Sequence, residues 1–408
     1  MEKKVKLALA LLMFNMFISM SGIGLIIPIM PHYLQGFGGQ GAVLGFLIAS
    51  IALAQFIFSP LAGSLSDRFG RKKLIVIGLL INGTFMTLFG VASHLYELYI
   101  FRFLTGVGSA FITPPIMAYV ADITTGKQRG KAMGLIGASI SLGFTIGPGL
   151  GGLLSNINLH FPFYFAGAAA ILAGILTMFL LPATKPVVAK GAKSTGSGNI
   201  IKDMKTSFTT PYFVLLLVVF IFTFGIANFQ SSMSLFLTYK FDFTPNQIAI
   251  VLTVGGFIGV IVQGLLLDKL FKRFGEMRII LFSLVIASIF TVCMIYISGF
   301  FLILVVATIF QTATILIRPA VNTLISYAAG KEQGFASGMN NSYMSLGNMI
   351  GPAIAGLLFD FNMSIPFIVG GAVLMLCFII TYVWQKRNPI QRPVRQQPNI
   401  DLDVDTKS

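Results

Sequence analysis

Long apolar runs, separated by short polar connectors, dominate this sequence and constrain it more than any other feature. Leu74–Val91 and Ile279–Ile297 are two of them, each long enough as a helix to cross ~30 Å of hydrocarbon. Reading every such run predicts an all-α membrane protein of twelve transmembrane helices. The first run, Leu7–Met30, follows a basic start that resembles a signal sequence. It is longer than a usual signal core and leads straight into Pro28 and Pro31, so it reads as a retained first span. Only 10% of the residues are charged, against roughly a quarter in a soluble domain. A water-soluble fold is excluded.

The formal net charge of +15 does not point to nucleic acid, because the basic residues sit in connectors. Of 28 Lys and Arg, 25 fall at the two ends and in the connectors after even-numbered spans. Lys240 is alone on the opposite side, and Arg102 and Arg318 lie within spans. This asymmetry predicts both termini in the cytoplasm. Cys293 and Cys377 fall inside apolar runs and read as packing residues. No metal-ligand cluster, nucleophile–base pair or phosphate loop is present, so neither enzyme activity nor a metal or cofactor is expected.

The two halves repeat one another. Gly134, Gly143, Gly147, Pro148 and Gly152 recur 204 residues later as Gly338, Gly347, Gly351, Pro352 and Gly356. The expected organisation is a six-helix bundle at 1–181, a cytoplasmic linker at 182–210, a second bundle at 211–385, and a disordered cytoplasmic tail at 386–408. Parallel repeats of this type place a substrate site at their interface, near the midplane.

Several motifs carry a family resemblance. The connector after span two holds Gly63, Leu65, Asp67, Arg68, Gly70, Arg71, Lys72 and Lys73 at the spacing of the loop signature of the major facilitator superfamily. A decayed copy, Gly264, Asp268, Lys269, Arg273 and Gly275, occupies the second half. Span five carries Gly143, Gly147, Pro148, Gly151 and Gly152, which resembles the antiporter motif of efflux members. Span one carries Gly22, Gly24, Pro28 and Pro31, and span four carries Arg102, Thr105, Gly106 and Gly108. Together these are similar to the twelve-span drug–proton antiporter branch, and most similar to quinolone and multidrug efflux pumps of Gram-positive bacteria.

The resemblance implies two pseudo-symmetric bundles in a bacterial plasma membrane, a monomer sufficient for export, and amphipathic drugs exchanged for protons across the bilayer. It implies that Asp67 faces the start of span eleven and that Arg71 pairs with Asp122, latching an outward-open state. It implies a substrate cavity lined by Gln55, Arg102, Ser141, Phe144, Phe229, Gln230, Arg318 and Asn340. For Arg102, hydrogen bonding that fixes the fold stays open as an alternative, and for Arg318 so does a role as an anchor at the exit.

In one respect the chain departs from that branch. Its usual carboxylates in spans seven and ten are replaced here by Gln230 and Ile315. Every acid falls at a connector, a span end or a tail, which leaves Asp67, Asp122, Glu97 and Asp360 as proton-coupling candidates. Two arginines and no mid-span acid predict a cavity that favours neutral, zwitterionic or anionic amphipaths over cations. A proton-independent facilitator, or an exporter of one endogenous metabolite, sugar or lipid, is the competing expectation.

Overall fold

The computed structural model describes residues 3–183, 200–330 and 332–387. Among them there is no strand, and twelve helices are long and apolar enough to cross a membrane. The first bundle comprises α1 (Lys3–Ile26), its short continuation α2 (Met30–Gln35), α3 (Gly41–Phe69), α4 (Arg71–Val91), α5 (Leu95–Ile123), α6 (Gly126–Ser155) and α7 (Phe161–Leu180). A short helix, α8 (Ile200–Ser207), precedes the second bundle. That bundle comprises α9 (Phe213–Phe241), α10 (Pro245–Phe274), α11 (Glu276–Cys293), α12 (Phe300–Ala329), α13 (Gln333–Phe361) and α14 (Ile365–Arg387). Residues 184–199 and 388–408, where most of the expected linker and tail fall, lie outside the described residues.

Proline chemistry explains where the helices depart from the expected spans. The first span stops at Ile26, because Pro28 has no amide to donate and its ring crowds the preceding turn. Tight bonds take over there, from the Ile27 amide to Gly24 and from the Ile29 amide to Ile26, at 3.2 and 3.0 Å. By contrast, Pro319 leaves α12 intact as far as Ala329, past the expected end at Ile317 and three residues beyond its longer alternative at Ser326. Neighbouring helices in a membrane protein can re-satisfy the one carbonyl that such a proline frees. Within the expected linker, Ile200–Ser207 form the helix α8. Ser207 of α8 is fully buried and hydrogen-bonds the Tyr343 hydroxyl of α13 at 2.8 Å, pinning α8 beneath the second bundle.

Turns at one end are equally specific. A single residue, Gly70, joins α3 to α4 at φ +96° while its amide bonds the Ser66 carbonyl at 3.0 Å. Gly275 joins α10 to α11 in the same way at φ +85°. Both turns lie at the end of the molecule that carries the basic connectors and the described ends of α1 and α14, here called the basic end.

The bundles meet at the far end and part at the basic end. A core containing Leu25, Met30, Tyr33 and Phe163 of the first bundle continues into Phe236, Ile248 and Phe359 of the second. At the basic end the first bundle keeps a separate core around Leu12, Ile75, Tyr119 and Ile136. Two seams make the junction, α3 against α13 and α6 against α10. They are related by the repeat: a Cβ on Gly356 would lie 3.0 Å from the Cα of Ala42, and one on Gly152 would lie 3.0 Å from the Cα of Asn246, 204 residues after Ala42.

Buried polar groups stitch each bundle internally. Asn15 of α1 donates to Thr177 of α7 at 2.8 Å, and Asn82 of α4 donates to Ser109 of α5 at 3.0 Å. Bonds of this kind average about 0.6 kcal/mol in membrane proteins, so most cohesion comes from packing. Gly70→Ala would place a β-carbon in backbone space reserved for glycine and should lower stability by about 1–3 kcal/mol. Gly134→Ala, on a helix face with nothing within 4 Å of the added carbon, should be neutral or slightly stabilising. Thermal unfolding of the two purified variants side by side checks both expectations.

Candidate functional site

The parting at the basic end forms a cleft, and the cleft wall follows from helix spacing. On α12, Gln311, Ile315, Arg318 and Asn322 recur at three and four residues and share one face. The upper part of this face meets glycines of α10: a Cβ on Gly259 would lie 3.4 Å from Ile315, and Gln311 crowds the space beside Gly255. Its lower part meets α13, where Asn340 donates to Asn322 at 3.1 Å. Arg318 sits between these two contacts and is exposed, as is Asn322. No acid pairs with Arg318 among the described residues.

Of the other expected cavity residues, Gln55, Ser141, Phe144, Gln230 and Asn340 are half-buried. Two are packed away instead. Phe229 is 1% exposed, stacked on Phe310 with ring centroids 3.8 Å apart and edge-on to Phe367, so it belongs to the interior of the second bundle. Its neighbours in sequence, Asn228 and Gln230, hold the polar positions on that turn, and the abundance of phenylalanine hid which ring was structural. Arg102 is also buried, with its guanidinium carbon 5.0 Å from the centroid of Phe89. Its Nε and one terminal nitrogen have no hydrogen-bond partner, so the Phe89 ring face is the contact that offsets its charge.

The loop signature forms an ion-pair cluster inside the first bundle. Arg71 pairs with Asp67 one turn back on α3, with Asp122 at the end of α5 at 3.2 Å, and donates to the Ser66 hydroxyl at 2.6 Å. Arg68 is exposed and stacks on Phe69. Among the described residues, the expected contact of Asp67 with the start of α13 is not made. Asp67 is 55% exposed, and nothing lies within 4 Å of the positions a β-carbon would take on Gly63 or Gly338. The parting of the bundles is the reason.

The glycine motif of α6 serves two faces. A Cβ on Gly143 or Gly147 would fall 2.6 and 2.7 Å from the Phe17 and Ser21 carbonyl oxygens of α1, and one on Gly151 would strike the Leu25 carbonyl. Pro148 closes against Gly24 of α1 at the same level. The other face, Thr145, Gly149 and Gly152, packs on Gly256, Thr253 and Asn246 of α10. One helix thus grips its own bundle with one face and the opposite bundle with the other.

Both remaining carboxylate candidates cap helices at the far end. Glu97 accepts the Ser93 and His94 amides at 2.8 and 3.1 Å at the start of α5. Asp360 accepts two amides of α3. The three histidines, His32, His94 and His160, lie in connectors at this same end but in different surroundings. Only His94 is exposed, His160 bonds the Gly90 carbonyl at 2.7 Å, and burial lowers the pKa of His32. Sequence reasoning missed Asn322, although its spacing of four from Arg318 was the available signal.

Sequence comparisons show the family, and a structure comparison shows the fold. A model of the Major Facilitator Superfamily matches residues 12–343 and 215–399. Multidrug resistance protein 2 of Bacillus subtilis is 41% identical over 379 residues, covering 92% of this chain and 95% of the relative. Quinolone resistance protein NorA of Staphylococcus aureus is 35% identical over 372 residues, covering 91% of this chain and 95% of that one. Among solved structures, an inward-facing, unoccupied bacterial homolog of the human lysosomal transporter Spinster superposes with a TM-score of 0.77 at 16% identity, covering 97% of this chain and 100% of that chain.

Overpacking the α1–α6 contact tests the geometry. Gly147→Leu should cost about 1–3 kcal/mol or more, whereas Gly137→Leu, with nothing within 4 Å of the added carbon, should leave the melting temperature within a few degrees of the parent. The family match and the sequence relatives span nearly the whole chain rather than any one motif, and on that footing the chain belongs to the Major Facilitator Superfamily.

Proposed function

We propose that this chain is a secondary active exporter of amphipathic drugs, of the quinolone and multidrug type, working by alternating access in exchange for protons. The observation that carries the reading is the cleft between two related bundles, sealed at the far end and parted where Arg318 and Asn322 are exposed. The names of the relatives, a multidrug and a quinolone resistance protein, support drugs as the substrate class. The moving units are the bundles 1–181 and 211–385, joined by the linker 182–210 and followed by the tail 386–408.

The basic end faces the cytoplasm, since cytoplasmic connectors collect Lys and Arg. Both termini then lie inside a bacterial plasma membrane, and the conformation described above is inward-open. Rocking needs a helix that holds its own bundle while sliding on the other, and the two faces of α6 fit that role. In the outward-open state the Asp67–Arg71–Asp122 cluster meets the start of α13, which closes the cytoplasmic side. A monomer contains both bundles and therefore the whole cleft, and none of the work requires covalent chemistry.

A proton crossing ~100 mV supplies ~2.3 kcal/mol, provided a titratable group lies on its path. Asp67, Asp122, Glu97 and Asp360 are the candidates, and all four lie toward helix ends. One observation favours a second reading. Gln230 and Ile315 stand where related pumps carry acids, and among the described residues no acid pairs with Arg318. Such a cleft suits neutral, zwitterionic or anionic amphipaths, including an endogenous metabolite, sugar or lipid moved without protons.

Transport of dye and quinolone panels into everted membrane vesicles, with proton flux recorded alongside, separates the readings. Exchange predicts that export ends when the proton gradient is collapsed; export that continues unchanged rejects coupling and leaves the fold intact. Gln230→Glu introduces an acid in the second bundle and should raise the preference for lipophilic cations over anions about tenfold, near the 1.4 kcal/mol of one added charge contact. Unchanged selectivity would remove Gln230 from the cleft wall.

A further inference from the structure

At the outer end, Asp360 of α13 reaches across the seam to the start of α3. Its Oδ1 accepts the Gly41 amide at 2.8 Å and its Oδ2 accepts the Ala42 amide at 2.9 Å. These are the first two amides of a helix in the other bundle. Helix starts leave such donors without partners, and Gln40, the residue before α3, supplies no side-chain cap.

The repeat-related seam is built differently. There α10 caps itself: Thr244 accepts the Gln247 amide at 3.3 Å while the Gln247 side chain accepts the Thr244 amide at 2.9 Å. Pro245 at its first position has no amide to satisfy. The residue that precedes Asp360 by 204 is Asn156, which carries no charge. One seam is therefore fastened by a carboxylate and its counterpart is not.

We propose that Asp360 is a charge latch of the outer gate, holding the inward-open state by capping α3 from the opposite bundle, so that outward opening releases the α3–α13 seam as a charged contact. The proposal rests on the alternating-access reading above. A helix start carries about half a positive charge, and hydrogen bonds to a carboxylate are stronger than those to a neutral acceptor. The contact exists only while α3 and α13 meet, so its whole contribution favours the closed outer gate. When the gate opens, water takes over both partners. A cavity of about 570 Å³, lined by Gln40, Phe236, Tyr239, Lys240, Asp360 and Ser364 among others, lies beside the latch. Lys240, the cation of this cavity, donates to the Ile295 carbonyl at 2.9 Å and packs on Phe236 and Phe241. It is thereby held by its own bundle.

The test uses the full chain in nanodiscs without drug, spin-labelled at Tyr96 and Tyr296, two exposed outer positions in opposite bundles. Pulsed dipolar distances report the ratio of outward-open to inward-open molecules. Asp360→Asn keeps the shape and removes the charge, and it should raise that ratio about fivefold, the upper range for an exposed helix-terminus charge. Adding Gln40→Ser returns a cap to α3 within its own bundle. The double variant should recover thermal stability yet keep the shifted ratio. An unchanged ratio in Asp360→Asn, or a ratio restored by Gln40→Ser, overturns the latch and makes Asp360 a simple helix cap. Asn156→Asp should leave the ratio unaltered, and an inward shift there would overturn the asymmetry between seams. Because distances are read without drug, failed export in vesicles would sink the transport reading and leave this result standing.

Discussion

Hydrocarbon has no water with which to satisfy a peptide group, and the whole architecture follows from that lack. Each crossing must be a helix, because only a helix bonds all its interior amides within itself. Lipid is as apolar as leucine, so helices gain little by burying leucine against one another, and close backbone contact has to hold them together. The glycines of α6 and α13 make that contact possible. Where Gly143 and Gly147 lie against α1, a single added carbon would meet a carbonyl oxygen at under 3 Å. Glycine here is chosen for the space it leaves empty.

The same device works within and between bundles, and this ties packing to motion. Inside a bundle, the close contact of α6 with α1 is locked by Pro148 against Gly24. Between bundles, Gly152 and Gly356 let α6 approach α10 and α13 approach α3 at backbone distance. At the basic end the bundles have parted, and the ion pairs of Arg71 there are all within one bundle. The two seams match in shape, and the far end of α3 adds a charged contact that α10 does not need.

Electrostatics divide the molecule by depth. Asp67, Asp122, Glu97 and Asp360 lie toward helix ends, where backbone amides or Arg71 hold them. In the span interior the charges are cationic, Arg102 against an aromatic ring and Arg318 exposed on the cleft. An unpaired arginine in a span is tolerated when it faces water or protein rather than lipid, and an exposed position on a cleft wall meets that condition. Among the described residues no acid pairs with Arg318, and Gln230 and Ile315 add no negative charge beside it.

Much of the fold was legible in one dimension. Hydropathy and length alone dictate the number of spans, and a 204-residue repeat dictates two related bundles, because both are properties of local composition and order. The turn at Gly70 and the grip of the span-five glycines could likewise be read from spacing. Tertiary structure decided what spacing cannot encode. It broke the first span at Pro28 and carried α12 through Pro319, since a proline's effect depends on who re-satisfies its lost bond. It buried Phe229 and Arg102 inside bundles while leaving Arg318 in the cleft, because the direction a side chain takes is set by how neighbouring helices rotate. And it brought Asp360 to the start of α3, more than 300 residues away in the chain, a pairing that exists only when the two bundles close on one another.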